Sequence, residues 1–252
     1  MSPEKGVFPG SRKSPRVSPT KGRAWQHDIP RHTPGVSPDR FLSPASTSLK
    51  ICGVTLADDA MRLAELGVDA LGANFWPQSK RYLAPERAGF LKELEGRILR
   101  VGVFVNPDLK LPARLIREGL IDVVQLHGDE TPDDVALLKE AGIPVIKALG
   151  VRAVGDLQRA HEFGADAILL DAHAPGVYGG TGETIDWSLA RRFVEENPEL
   201  PVILAGGITP DNAAAAINAV RPAALDVASG AEESPGVKDF AKVEALLEPC
   251  GE

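Results

Sequence analysis

The chain of 252 residues is 43% hydrophobic and 25% charged, with a net charge of −7, an ordinary composition for a globular protein with a sizeable core. Its longest apolar runs, such as AILL at 167–170 and VILA at 202–205, are far shorter than the roughly 18 residues that a membrane span needs, and the opening MSPEKG lacks the apolar region of a secretory signal. Two cysteines, Cys52 and Cys250, exclude a disulfide framework and a site of clustered Cys and His metal ligands, so we expect a cytoplasmic protein without membrane contact or a bound metal.

The N-terminal extension differs in composition from the rest of the chain. Residues 1–48 carry a net charge of +5 and contain eight prolines and eight serines, whereas the remainder carries −12. So few apolar residues cannot offset the entropy of ordering the segment, and we predict a disordered extension over 1–47 and a catalytic domain over 48–252. A basic tail is compatible with nucleic-acid binding, and an Arg- and Ser-rich leader with a transit peptide. The simpler interpretation, which we favour, is a solvated extension with no nucleic-acid partner.

Short apolar runs rich in β-formers alternate with helical patterns from Leu49 onward. Most of the runs are almost wholly apolar, as is typical of parallel strands covered on both faces. We predict eight strands, at 49–53, 69–75, 98–105, 121–126, 144–148, 166–171, 201–205 and 223–228.

The segments between these strands have the period of amphipathic helices. In 55–66, apolar residues recur at helical spacing, Thr55 is placed to cap the start, and Gly67 ends the pattern. Glycines in the same position precede later strands, at Gly119, Gly142 and Gly164. Eight such units predict a single α/β domain, a (β/α)8 TIM barrel, with a doubly wound open sheet as the alternative.

Polar residues collect where the predicted strands end. In a barrel, the carboxyl ends of the strands meet at one rim, and catalytic residues lie there. The residues in these positions are Cys52, Asn74, Asn106, Gln125, His127, Lys147, Asp171, Gly206, Gly207, Asp226 and Ser229. Their positions predict an active site at this rim.

The loops after the last two strands have the composition of a phosphate site. They read AGGITPDN at 205–212 and DVASGAEESPG at 226–236, and the absence of Cβ atoms at Gly206 and Gly207 allows close approach of the backbone to an anion. One such pair of glycines indicates only a tight turn, but two consecutive loops favour a phosphorylated small molecule as substrate. The long loop 175–187, PGVYGGTGETIDW, has the composition of a mobile lid.

The ordered set of motifs resembles one known family. The motifs are KICGVT at 50–55, NFWPQSKRYLAPE at 74–86, VGVFVN at 101–106, VVQLHGDE at 123–130, VIKALGV at 145–151, LLDA with YGGTGETIDW across 169–187, LAGGITPDN at 204–212 and DVASG at 226–230. Over residues 49–247 the sequence is similar to the phosphoribosylanthranilate isomerases of tryptophan biosynthesis. No single motif is specific, but their order is.

The resemblance implies a reaction that needs no cofactor. It is the Amadori rearrangement of N-(5′-phosphoribosyl)anthranilate to 1-(2-carboxyphenylamino)-1-deoxyribulose 5-phosphate, the third step from chorismate. By the same resemblance, Cys52 corresponds to the general base and Asp171 to the general acid. A free thiol is mostly protonated at neutral pH, so Cys52 needs a nearby positive group, for which Lys50 is the candidate. Asp171 must in turn retain a proton near neutral pH.

The resemblance also implies a set of substrate-binding residues. Arg81 corresponds to the residue that contacts the anthranilate carboxylate, a role that suits a guanidinium fork. His127 and Asp226 are expected to line the pocket, with Asp226 a candidate for sugar hydroxyls, and the phosphate loops contribute Gly206, Gly207, Ser229 and Gly230. For each of these residues a purely structural role is the alternative: a packed thiol at Cys52, a cap or salt bridge at Asp171, a solvated charge at Arg81.

Two residues depart from the family's pattern, and two other functions compete with the one it implies. Ile185 replaces a bulky aromatic residue, Asn74 occupies a position that is usually apolar, and Cys250 is expected to have no role in the reaction.

The related isomerase of histidine biosynthesis uses two aspartates, whereas the first strand here ends in Cys52. A non-catalytic sugar-phosphate-binding barrel is the rival from another class. We expect a monomer or a homodimer.

Overall fold

Eight parallel strands form a closed barrel in the computed structural model, which describes residues 37–43, 46–172 and 185–250. The strands are β1 (Ser48–Cys52), β2 (Ala70–Asn74), β3 (Leu99–Phe104), β4 (Val123–Leu126), β5 (Val145–Val151), β6 (Ala167–Ala172), β7 (Val202–Leu204) and β8 (Ala224–Val227). Each strand pairs with its sequence neighbours, and β1 also pairs with β8. The predicted (β/α)8 barrel is therefore confirmed, and the open sheet is excluded because its first and last strands would not pair.

The strand bounds lie within two residues of the prediction, except at the end of β5. There the strand runs on to Val151, because Leu149, Gly150 and Val151 continue the ladder with Leu170, Asp171 and Ala172. The register thereby places the end of β6, with Asp171, beside the end of β5.

Helices connect most of the strands on the outside of the barrel. They are α2 (Ala57–Glu65), α3 (Lys110–Arg117), α4 (Pro132–Glu140), α5 (Trp187–Glu196), α6 (Ala213–Val220) and α7 (Phe240–Leu247). The connection from β2 to β3 is a 3₁₀ helix over Pro85–Leu94, and the connection from β5 to β6 has two 3₁₀ turns, Val154–Leu157 and Ala160–Phe163. The expectation of a regular helix in every unit is wrong at these two places, where Gly89 and Gly155 weaken an α-helix.

The helix ends confirm one prediction and correct another. Gly67, Gly119, Gly142 and Gly164 all have positive φ, from 59° to 79°, as expected of glycines that end helices. Thr55, however, does not cap α2, which begins after Leu56 without a side-chain cap. Its hydroxyl instead donates a 2.8 Å hydrogen bond to the carbonyl of Gly236, so it joins the first βα loop to the last.

Alternation along the strands produces two apolar cores. The larger lies between the strands and the surrounding helices and includes Leu49 and Ile51 of β1. The smaller fills the inside of the barrel with Ala70, Leu99, Val101, Val123, Ile146, Ala148, Ala167, Leu169, Ile203, Ala205 and Ala224. The polar residues of the site lie on the same inward faces, towards the carboxyl ends.

The N-terminal extension contributes to the inner core. Residues Pro38–Phe41 form a short helix, α1, capped by the Ser37 hydroxyl, which accepts a 3.2 Å hydrogen bond from the Arg40 amide. Phe41 is 3% exposed and Leu42 9%, and both belong to the cluster inside the barrel. The prediction of disorder is therefore wrong for residues 37–43, because two large apolar side chains are buried there; residues 1–36 lie outside the described part of the chain.

Two further observations concern the described residues alone. None of their helices is both long and apolar enough to cross a membrane. Nor do three or more of their His, Cys, Asp and Glu side chains come together as a metal site.

Candidate active site

A cavity at the carboxyl ends of the strands contains most of the predicted site. It encloses about 750 Å³, including the part that is open to solvent. Eight of the nine residues expected to act on or bind substrate line it: Cys52, Arg81, His127, Asp171, Gly206, Gly207, Asp226 and Ser229. Cys52 reaches the cavity from β1 and Asp171 from β6, so the predicted base and acid approach it from well-separated strands.

Gly230, the ninth residue, does not line the cavity. A Cβ atom at this position would lie 1.9 Å from the carbonyl oxygen of Ile208. The glycine therefore lets the loop after β8 pack against the loop after β7, which is a structural role.

Three polar strand-end residues, Lys147, Asn106 and Gln125, lie outside the cavity as well. Lys147 is buried, and its ammonium group donates to the carboxylate of Glu130 at 2.8 Å and to the carbonyl of Gly128 at 2.7 Å. The same Glu130 carboxylate accepts from the amide of Asn106, which has a φ of 47°. This network joins the loops after β3 and β4 to strand β5, so Lys147 and Asn106 shape the rim.

Cys52 lies beside a buried ion pair. Lys50 and Asp226 are partners in the register of β1 and β8, and their Nζ and Oδ1 atoms are 2.7 Å apart. Cys52 is in turn the register partner of Gly72. A Cβ atom at Gly72 would lie 2.7 Å from the Cys52 sulfur and 3.1 Å from the Lys50 Nζ, so both groups use the space that this glycine leaves.

The ionisation of Cys52 reflects opposing effects. Burial, followed by the negative charge of Asp226, raises the pKa of the thiol above its ordinary value. The positive charges of Lys50 and Lys238 act in the other direction without compensating fully. Burial also works against the charged form of Lys50, but Asp226 and Cys52 outweigh it and raise the pKa of the ammonium group. Lys50 thus lies where the sequence predicts, but Asp226 offsets its effect on the thiol.

Lys238 is a second ammonium group near Cys52, and the sequence does not single it out. It follows β8 on a two-stranded ribbon made by β9 (Glu232–Ser234) and β10 (Val237–Lys238). Its Nζ donates to the backbone carbonyl of Cys52 at 2.6 Å and to Glu232 Oε1 at 2.7 Å. The only available signal was a lone lysine in PGVKD, with nothing to indicate its partner in β1.

Arg81 lines the cavity while paired with a carboxylate. Its Nε and Nη2 atoms donate to Glu232 at distances from 2.6 to 3.0 Å, and the hydrogen bonds raise the pKa of the guanidinium. A Cβ atom at Gly53 would lie 2.2 Å from Cδ of Arg81, so the arginine stem passes directly over this glycine. The expectation of a solvated charge as the alternative role does not describe Arg81, whose side chain is only 14% exposed.

Asp171 is positioned by its own backbone and by His127. The amide of Ala172 donates to Oδ1 of Asp171 at 2.8 Å, and Nε2 of His127 lies 3.3 Å from Oδ2. The other ring nitrogen of His127 is 2.9 Å from the side-chain nitrogen of the fully buried Gln125. The acid group therefore has one oxygen held by the chain and one beside an imidazole.

The loop after β7 has an open, glycine-dependent conformation. Gly206 and Gly207 have φ of 82° and 62°, values that only glycine adopts readily. Asn212 supports the loop, because its amide nitrogen donates to the Gly207 carbonyl at 2.9 Å and its oxygen accepts from the Thr209 amide at 2.9 Å. Ser229, at the start of a short 3₁₀ helix over Ser229–Ala231, borders the same end of the cavity.

The residues that depart from the family's pattern have defined structural positions. Asn74 lines the cavity, and its side-chain oxygen accepts a 2.9 Å hydrogen bond from the amide of Trp76, which shapes the turn after β2. Ile185 is 6% exposed and packs in the larger core. Most of the predicted lid, 175–187, falls in 173–184 and so lies outside the described residues.

Comparison with known families identifies the barrel as a whole. A family model described as N-(5′-phosphoribosyl)anthranilate (PRA) isomerase matches residues 49–249. The N-(5′-phosphoribosyl)anthranilate isomerase of Synechococcus sp. (strain JA-3-3Ab) is 44% identical over 205 residues, which cover 79% of this chain and 89% of the relative.

Solved structures agree with the sequence comparison. The phosphoribosyl anthranilate isomerase from Thermotoga maritima has a TM-score of 0.74 and 38% identity, covering 81% of this chain and 98% of that one. A phosphoribosyl anthranilate isomerase in complex with reduced 1-(o-carboxyphenylamino)-1-deoxyribulose 5-phosphate has a TM-score of 0.71 and 36% identity, with the same coverage. In both, the similarity extends over nearly the whole of the solved chain.

Proposed function

This chain belongs to the N-(5′-phosphoribosyl)anthranilate (PRA) isomerase family, and on that premise we propose that Cys52 and Asp171 are the acid–base pair of its reaction. The protein is an isomerase of tryptophan biosynthesis, which converts N-(5′-phosphoribosyl)anthranilate to 1-(2-carboxyphenylamino)-1-deoxyribulose 5-phosphate. One observation supports the assignment above all. Cys52 and Asp171 line a single cavity from strands β1 and β6, with the glycine loop after β7 at the same rim.

Asp171 opens the ribose ring. Its protonated carboxyl gives a proton to the ring oxygen as the bond from that oxygen to C1′ breaks, and the lone pair of the anthranilate nitrogen forms a C1′=N iminium ion. The contact with His127 at 3.3 Å provides a partner for the carboxylate that results. Ring opening thus places a positive charge on the substrate at the end where Cys52 must act.

Cys52 then removes the proton from C2′. The electrons of the C2′–H bond form a C1′=C2′ double bond and neutralise the iminium nitrogen, and the resulting enolamine tautomerises to the ketone by losing the O2′ proton and gaining one at C1′. Since burial and Asp226 raise the pKa of the thiol, the thiolate is favoured mainly once the cationic iminium is bound. Lys50 and Lys238 assist, because their charges also favour the thiolate.

The rest of the cavity binds the two anionic ends of the substrate. The phosphate interacts with backbone amides and the hydroxyl around Gly206, Gly207 and Ser229, where the glycine conformation allows close approach. The anthranilate carboxylate interacts with Arg81 on the side of the guanidinium that Glu232 does not occupy. Asp226 is near enough to Cys52 to contact the sugar hydroxyls as well as Lys50.

We place the protein in the cytoplasm, where its free thiol stays reduced, with a phosphorylated small molecule as its partner and no nucleic acid or membrane. One solved structure is of monomers generated from the dimeric phosphoribosylanthranilate isomerase of Thermotoga maritima, and we propose that this chain is a monomer or a homodimer.

The decisive test is turnover of N-(5′-phosphoribosyl)anthranilate by purified protein, followed by the loss of substrate fluorescence. Cys52→Ala and Asp171→Asn should each lower kcat by about two to three orders of magnitude or more, the usual contribution of an acid–base group. Cys250→Ala, which changes the other free cysteine, is the matched control and should turn over normally. Rates like those of the unmodified protein in both site variants would exclude the assignment of the acid–base pair. No turnover by the unmodified protein would leave a non-catalytic sugar-phosphate-binding barrel.

A further inference from the structure

Two buried charged residues beside the site, Glu232 and Lys238, contact no part of the substrate in the mechanism above, which Lys238 enters only through its charge. Their side chains are 3% and 0% exposed, and they face each other across the ribbon of β9 and β10. Burying such charges is costly unless they are paired and fully hydrogen-bonded. Their hydrogen bonds therefore indicate what the pair does.

The carboxylate of Glu232 holds the guanidinium of Arg81 in place. Its two carboxylate oxygens accept three hydrogen bonds from Nε and Nη2 of the guanidinium, at 2.8, 3.0 and 2.6 Å. Such a two-pronged contact fixes the plane of the guanidinium as well as its position. The amide of Gly236 donates a further bond to Glu232 at 3.1 Å, so the carboxylate itself is held in place.

Lys238 connects the pair of Glu232 and Arg81 to β1, the strand that carries Cys52. One of its hydrogen bonds reaches Glu232 Oε1 and another reaches the backbone carbonyl of Cys52. Two further hydrogen bonds fix the ribbon of β9 and β10 to the surrounding helices. The amide of Lys238 donates to Asp59 of α2 at 3.0 Å, and the ammonium of Lys242 in α7 donates to the Glu232 carbonyl at 2.8 Å. Arg81 and the end of β1 are thus parts of one rigid unit.

The charges of the unit suit an anionic ligand. If Glu232 were paired with Arg81 alone, its negative charge would cancel the positive charge that attracts the carboxylate of the substrate. With Lys238 included, the three side chains sum to +1, so Glu232 can orient the guanidinium without neutralising the rim.

We propose that Glu232 and Lys238 are positioning residues that hold Arg81 in one orientation towards the carboxylate of the substrate's aromatic ring, and so set the preference for a carboxylated aryl amine. The inference rests on the proposed role of Arg81. Glu232 and Lys238 do not touch the substrate; they act through Arg81 and through the end of β1.

The test compares two substrates that differ by the carboxylate alone, the phosphoribosyl derivatives of anthranilate and of aniline. The carboxylate preference is the ratio of their kcat/KM values. Glu232→Gln and Lys238→Met should lower this ratio by about one to two orders of magnitude, mainly by raising KM for the anthranilate derivative, because a guanidinium displaced by about 1 Å loses its aligned contact. Arg81→Met should abolish the preference.

Asp122→Asn is the matched control. It alters another carboxylate that is paired two-pronged with an arginine, Arg100, at 2.6 and 2.9 Å, at the start of β4 and so at the opposite end of the barrel. It should lower the melting temperature and leave the carboxylate preference unchanged. A purely structural role for Glu232 and Lys238 predicts the same pattern in their variants, and that result would overturn the inference.

The outcomes separate the inference from the function beneath it. If the unmodified protein already has a ratio near one, or if Arg81→Met keeps the ratio of the unmodified protein, the proposed role of Arg81 fails. If Arg81→Met loses the preference while Glu232→Gln and Lys238→Met retain it, only the positioning role fails.

Discussion

Cys52 is surrounded by one carboxylate and two ammonium groups, and the carboxylate has the less obvious effect. The sequence indicates Lys50 as the positive group that favours the Cys52 thiolate. The Lys50 ammonium, however, forms an ion pair with Asp226 at 2.7 Å. Asp226 and burial together raise the pKa of the thiol. The resting enzyme is thus expected to carry Cys52 mainly as the neutral thiol.

Replacing Asp226 by Asn should lower the pKa of Cys52. The substitution removes a negative charge that disfavours the thiolate and frees Lys50 to interact with the sulfur, so both changes have the same sign. Titration of the thiolate by its ultraviolet absorbance should show ionisation at lower pH than in the unmodified protein. Cys250 does not interfere, because burial raises its pKa to about 12. A Cys52 transition that stays in place or moves to higher pH would contradict this account.

At the residue scale, the sequence predicts groups whose chemistry is visible at the end of a strand. Cys52, His127 and Asp171 are of this kind, and the structure brings them to one cavity. Glu232 and Lys238 are not, because their roles depend on contacts with residues 151 and 186 positions away in the chain. An isolated Glu or Lys after the last strand has no pattern that distinguishes it from a solvated charge.

At the scale of elements, strand β2 contributes to the site because one of its residues has no side chain. Gly72 pairs with Cys52, and the missing side chain leaves room for both the sulfur and the Lys50 ammonium. Any side chain here would have to displace the Cys52 thiol or the strand that carries it.

Gly72→Ala should therefore lower kcat strongly and change the melting temperature little. A Cβ atom 2.7 Å from the sulfur must move it, and a displacement of about 1 Å in a reacting group costs on the order of a hundredfold in rate. Gly89→Ala is the matched control, since a Cβ atom there has no neighbour within 4 Å, and it should leave kcat unchanged. Steady-state kinetics and thermal melts measure the two effects; equal kcat values in the two variants would show that the sulfur has room to adjust.

The elements that the sequence predicts best are those fixed by a simple pattern. Apolar runs of strand length, several of them preceded by a glycine, predict all eight strands to within a few residues. The 3₁₀ connections are not predicted, because the apolar spacing of 85–94 and 154–163 fits either helix type, and one glycine in each, Gly89 or Gly155, weakens an α-helix without excluding it. The role of Thr55 is missed for a related reason, since its partner Gly236 is distant in sequence.

At the scale of the whole molecule, the two ends of the barrel have different tasks. The carboxyl ends of the strands surround the site. Phe41 and Leu42 precede β1 and join the core inside the barrel, so the N-terminal extension ends as part of the fold. Composition alone conceals this, because two apolar residues in a long Pro- and Ser-rich segment do not form a recognisable pattern.

Two truncations should separate the buried part of the extension from the remainder. A chain that begins at residue 37 keeps Phe41 and Leu42 and should match the full protein in unfolding free energy. A chain that begins at residue 48 loses both and should be less stable by about 3–6 kcal/mol, the value of burying two large apolar side chains. Chemical denaturation measures the difference, and kcat at low temperature should be the same for both. Equal stability of the two chains would show that Phe41 and Leu42 contribute little.

The filled barrel has a kinetic consequence. From Phe41 at one end to Ala205 in the cavity wall, buried side chains occupy the inside of the barrel, and no passage runs through it between the described residues. Substrate and product are therefore expected to exchange through the opening at the carboxyl ends of the strands, and one must leave before the other can enter. Product should inhibit by simple competition with substrate, and viscosity that slows departure through the opening should slow turnover whenever chemistry is faster than release.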